Sequence, residues 1–112
     1  MLKFKRVENK CIDDIERIIN DLLISEVLIR LSVYRNENGM YGMIYASRPL
    51  RNNEKATGEV LDYRLGDIDN VIKDIETVSR TDYVNNIIII PPDKWFSYHV
   101  AIFTRKEIKN NK

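Results

Sequence analysis

The sequence predicts an α+β fold: one domain, residues 1–112, in which a mostly antiparallel sheet of five or six strands carries two amphipathic helices on one face, in the order (β)αβββαββ. Three observations lead there. Two segments space their apolar residues at helical intervals, five others alternate or concentrate β-branched and aromatic residues, and only 4 Gly and 3 Pro punctuate 112 residues, too few for a flexible linker. A chain of this length buries roughly 60–70% of the surface its unfolded form exposes, enough for a core of its own.

The first helix is expected over 13–24, where Ile15, Ile18, Ile19, Leu22 and Leu23 form an apolar stripe and Asp13 followed by Glu16 resembles a capping pair. The second is expected over 67–79, with Ile68, Val71, Ile72, Ile75 and Val78 on one side and Asp67 available as the cap. Residues 15–22 and 68–75 share one pattern of isoleucines and acids, compatible with an internal duplication of a strand–helix–hairpin unit. Strands are expected at 27–35, 40–48, 58–65, 84–90 and 95–104, with a short one at 2–7. Ile87 to Ile90 suit a strand covered on both faces, the diproline at 91–92 ends it, and Trp95 opens the returning strand.

The formal net charge is +1, and it divides into alternating blocks. Acidic charge gathers on the helical segments, basic charge on the strands and termini. One cysteine, Cys11, excludes an internal disulfide and a Cys-rich metal site, and is expected to be buried. The first ten residues lack the apolar run of a signal peptide, and Ile87–Ile90 is too short to span a bilayer, so a cytoplasmic location without membrane contact is expected.

The hairpin NENGMYGMIYASRP, residues 36–49, carries most of the functional expectation. On the preceding strand Val27, Ile29, Leu31 and Val33 form an apolar face opposite Leu28, Arg30, Ser32 and Tyr34. A tight turn at Asn38-Gly39 with an even number of loop residues sets odd positions of one strand against even positions of the other. Ile44 and Ala46 are then core, while Tyr41, Met43, Tyr45 and Ser47 face away from the helices. The buried set is expected to comprise Ile15, Ile18, Ile19, Leu22, Leu31, Val33, Ile44, Leu61, Ile72 and Ile75.

An open sheet face with tyrosines for stacking and arginines for phosphates suits single-stranded DNA or RNA, bound without chemistry. The candidate contacts are Arg30, Tyr34, Tyr41, Tyr45, Arg48 and Arg51. Tyr41-Gly42-Met43-Ile44-Tyr45 also partly echoes the aromatic strand of RNA-recognition motifs.

The run VYRNENGMYGMIYASRPLRNN followed by GEVLDYRLGD resembles the central part of the stage V sporulation protein G family, with Asn38-Gly39, Tyr41, Ser47-Arg48 and Gly58-Glu59 in comparable positions. The resemblance covers about residues 31–78. It implies site-specific DNA and RNA binding. Coactivator domains of the positive cofactor type, which bind single strands on a curved sheet backed by a helix, follow the same logic.

The competing expectation is a small protein-interaction module: a chaperone, inhibitor or immunity-type protein, with an Asn, Ile and Lys-rich vocabulary that suits a mobile element. A homodimer through the 84–104 strands belongs with either reading, because an uncovered isoleucine strand invites association. Catalysis is not expected, nor a cofactor or metal. No Gly-rich phosphate loop, GxSxG elbow or HExxH motif occurs. His99 is the single histidine and reads as a sheet residue bonded to a neighbour. Asp62 and Glu59 read as solvent-facing charges or partners of Arg64.

Overall fold

A computed structural model describes residues 1–108. The fold is α+β: among the described residues there are six strands and two helices, and the strands form two antiparallel three-stranded sheets, each with a helix of its own. The chain divides into two compact units, Met1–Gly58 and the part from Glu59 onward. No helix among the described residues is long and apolar enough to cross a membrane.

The first unit runs β1 (Lys5–Lys10), α1 (Ile12–Ser25), β2 (Glu26–Arg35) and β3 (Tyr41–Pro49), with sheet order β1-β3-β2. In α1 Ile15, Ile19 and Leu23 recur at helical spacing and are buried; Ile18 and Leu22 beside them are half-buried. The N-cap is Cys11 rather than Asp13. Its carbonyl accepts from the N–H groups of Asp14 and Ile15 at 3.1 and 3.2 Å, which places Asp13 and Asp14 in the first turn, where carboxylates favour the helix dipole. Cys11 is exposed, against the expectation of a buried thiol.

The second unit runs β4 (Glu59–Gly66), α2 (Ile68–Val78), β5 (Asp82–Ile90) and β6 (His99–Glu107), with sheet order β4-β6-β5. Asp67 caps α2 as its sequence predicts, accepting from the Asn70 N–H at 2.9 Å. The helix is rotated from the expected stripe. Val71 is fully buried and Ile75 and Val78 half-buried, whereas Ile68 and Ile72 stand exposed. β6 is the best-covered strand, buried from Val100 through Thr104. It begins at His99, not Trp95, which lies exposed in the preceding loop.

The two units have one topology. In each, a strand leads into a helix, a hairpin follows, and the last strand inserts between the first two. The resemblance extends to a bulge in the second strand. Leu28 lies opposite Ser47 and Arg30 opposite Ala46, leaving Ile29 extra; Asn85 lies opposite Thr104 and Ile88 opposite Ile102, so Asn86 and Ile87 face Phe103 alone. In the second unit the bulge is held by side chains: Asn86, at φ 51°, donates to the buried Thr104 Oγ1 at 3.0 Å, and that hydroxyl also bonds the Asn85 side chain. The helix caps show that the repeated isoleucine–acid pattern in the sequence is out of step with the structure. Cys11 matches Asp67, so Ile15, not Ile18, is the equivalent of Val71, and both are fully buried.

Candidate functional site

The expected tyrosine platform depends on the phase of β3, and the structure reverses it. The β2–β3 connection has five residues, Asn36 to Met40. The Asn36 N–H donates to the Met40 carbonyl at 2.8 Å, its side-chain oxygen accepts from the N–H groups of Asn38 and Met40, and Gly39 takes φ 78°. An odd loop pairs odd residues with odd: Arg35 with Tyr41, Val33 with Met43, Leu31 with Tyr45. Tyr41, Met43 and Tyr45 are buried on one face with Val33, and Ile44 points to the other, 38% exposed. That other face also exposes Arg30 and Ser32. Since α1 lies against β2 and β3 and buries Ile15, Ile19 and Leu23, the helix covers the face bearing Val33, Met43 and Tyr45.

The six candidate nucleic-acid contacts therefore separate. Tyr41 and Tyr45 are core residues, and the Tyr41 hydroxyl accepts from Arg35 Nε and Nη2 at 3.2 and 2.9 Å. Arg30 and Tyr34 remain on the open face. Tyr34 is half-buried, lying over Gly42, where an added Cβ would come within 2.6 Å of its ring. Its hydroxyl donates to Glu8 and accepts from Arg6 Nε, and the bond from Tyr34, with those that Arg6 Nε and Nη2 donate to the same carboxylate at 2.9 and 2.6 Å, holds the Glu8 carboxyl below its ordinary range. Arg48 is turned onto Glu54 by two bonds of 2.8 Å. Glu54 also accepts from the Arg51 N–H at 2.6 Å, which leaves Arg51 exposed in the loop after β3. The Arg48 guanidinium, helped by that N–H, lowers the Glu54 pKa to about 2. Two arginines of the open face, Arg6 and Arg48, thus have a carboxylate partner, and no exposed tyrosine lies among them.

In the second unit Asp62 accepts from Arg64 at 2.9 Å, as its spacing suggests, and from Arg105 at 3.4 Å; Arg105 also reaches Asp82 at 2.8 Å. The Arg105 guanidinium holds the Asp82 carboxyl below its usual range. His99 pairs across the sheet with Gly66, and its Nδ1 is buried without a hydrogen-bond partner.

The sequence offered the isoleucine strand both as covered and as a dimer contact, and the structure places it, as β5, at a sheet edge. Four strands are edges: β1, β2, β4 and β5. β1 carries Lys5, Arg6, Glu8 and Lys10; β2 carries Glu26, Arg30 and Arg35; β4 carries Glu59, Asp62 and Arg64. Such charges discourage pairing with other chains. β5 has none between Tyr83 and Ile90, and its single charge, Asp82 at the first position, is bonded to Arg105. The isoleucine run is not covered on both faces: Tyr83, Ile87 and Ile89 are 65, 52 and 41% exposed. The lack of charge from 83 to 90 was legible in the sequence, but the position of β5 in the sheet was not. Comparison of the chain with protein families, curated proteins and solved structures finds no match.

Proposed function

We propose that this chain is a small protein-interaction module that takes an extended segment of a partner protein along the β5 edge, by strand addition. The observation that carries the reading is that β5 alone among the four edge strands lacks charge along nearly its whole length while exposing large apolar side chains. An edge presents a row of backbone donors and acceptors, so main-chain hydrogen bonds supply affinity and alternate side chains supply selectivity. The partner segment is expected to be uncharged and β-branched where it lies beside Ile87–Ile90, because a charge there would be desolvated without a partner.

Single-stranded nucleic acid is the weaker reading. Its stacking residues Tyr41 and Tyr45 lie in the core, and Arg48 is engaged by Glu54. The two readings separate by fluorescence anisotropy at a chain concentration below micromolar. One probe is a labelled peptide of alternating valine and threonine; the other is a labelled oligonucleotide of about 20 nucleotides, longer than the ~16-nucleotide upper site size of a single-strand-binding fold. Strand addition predicts that the peptide binds and that Ile89→Lys abolishes it. Salt-sensitive binding of the oligonucleotide with no response to the peptide would reverse the assignment.

A further inference from the structure

The duplicated architecture supplies an internal control for the β5 edge. When the second strands are aligned on their bulges, with Leu28–Ser47 matched to Asn85–Thr104 and Leu31–Tyr45 matched to Ile88–Ile102, Arg30 falls on Ile87, Leu31 on Ile88, Ser32 on Ile89 and Val33 on Ile90. Burial agrees at all four positions. Val33 and Ile90 are buried, Leu31 and Ile88 half-buried, and the other two pairs exposed. The same fold thus places an arginine and a serine in solvent in one unit where the other unit exposes two isoleucines. Packing within a βαββ unit does not require an apolar residue at either position, so Ile87 and Ile89 need another explanation.

We propose that Ile87 and Ile89 form the contact between two copies of this chain, joined by antiparallel pairing of β5 with β5 across a two-fold axis. This rests on the strand-addition reading above and names its occupant. Three features favour a second copy. The uncharged, isoleucine-rich edge is complementary to itself, and no other edge strand among the described residues matches it. Antiparallel pairing of identical strands is isologous and closes, so it does not propagate. The joined sheet would have the order β4-β6-β5-β5-β6-β4, ending on both sides in β4, whose Glu59, Asp62 and Arg64 discourage further pairing. A contact made through one edge strand of each copy is expected to be smaller than the roughly 800 Å² per partner of a standard stable interface, so the dimer is expected to dissociate in the micromolar range.

The design of the test comes from the first unit: Ile87→Arg with Ile89→Ser installs the residues that the equivalent strand already carries in solvent. Sedimentation equilibrium across about 1–200 μM brackets the dissociation constant expected of so small an interface. The wild type should dimerise, and the double variant should be monomeric with an unchanged circular dichroism spectrum and melting temperature. Ile89→Ser alone should weaken association about tenfold, a milder change that guards against misfolding of the double variant. A wild type that stays monomeric throughout, or a well-folded double variant that dimerises as tightly as the wild type, overturns the proposal. A monomeric wild type that still binds the valine–threonine peptide would overturn only the second-copy inference, whereas one that binds neither itself nor the peptide would remove strand addition as well.

Discussion

Truncating Tyr45 tests the phase of β3, on which the site assignment turns. Tyr45 is 8% exposed, pairs with Lys5 on one side and Leu31 on the other, and lies on the face covered by α1. A buried tyrosine removes on the order of 200 Å² from water, which at about 25 cal/mol per Å² sets an upper estimate near 5 kcal/mol. Measured truncations of buried aromatic residues to alanine fall at about 3–5 kcal/mol, because the cavity closes only in part. Ile44, the next residue, is 38% exposed on the opposite face. Its truncation should cost about 1 kcal/mol, since few neighbours enclose it. A chain of this size has a total stability of about 5–15 kcal/mol, so Tyr45→Ala should lie near the limit of folding and Ile44→Ala well within it. Urea unfolding followed by far-ultraviolet circular dichroism gives both values. Tyr45→Phe, which keeps the ring, separates packing from the hydroxyl. If Ile44→Ala costs as much as Tyr45→Ala, the phase derived from the five-residue loop is wrong and the tyrosines return to an open face.

Two further outcomes follow from local geometry. Gly42→Ala should destabilise by about 1–3 kcal/mol, because its Cβ would meet the Tyr34 ring at 2.6 Å and displace the hydroxyl from Glu8 and Arg6; in a Tyr34→Ala background the same change should cost far less, as a double-mutant cycle of unfolding free energies would show. The Glu54 pKa is lowered from 4.5 to about 2 by Arg48 and the Arg51 N–H, so its contribution to stability is present above pH 4.5 and is lost as the pH falls toward 2. Glu54→Gln should therefore be less stable than the wild type at neutral pH, and the gap between the two should narrow through that window in thermal melts; a gap independent of pH would count against the ion pair.

The sequence by itself determined which elements exist. Helix and strand periodicity are local properties of the chain, so both helices, the six strands and the Asp67 cap can be read from residue spacing within a few positions of their observed bounds. The repeat was also visible, but as a pattern displaced by less than one helical turn, because isoleucines at helical intervals match themselves at several offsets. Tertiary structure decided what those spacings leave open. The face that Tyr41 and Tyr45 occupy depends on whether the hairpin loop is odd or even, and Asn36 extends that loop to five residues with its own side chain, which turns every residue of β3 over. Ile87 to Ile90 read as an interior strand because composition reports a preference for apolar neighbours without saying where those neighbours come from. The insertion of β6 between β4 and β5 puts that run at an edge and exposes Ile87 and Ile89. Strand order is a non-local property, set by which hairpin strand finds the middle of the sheet, and it leaves the isoleucine run on an edge strand where Ile90 is buried and Ile87 and Ile89 stand in solvent.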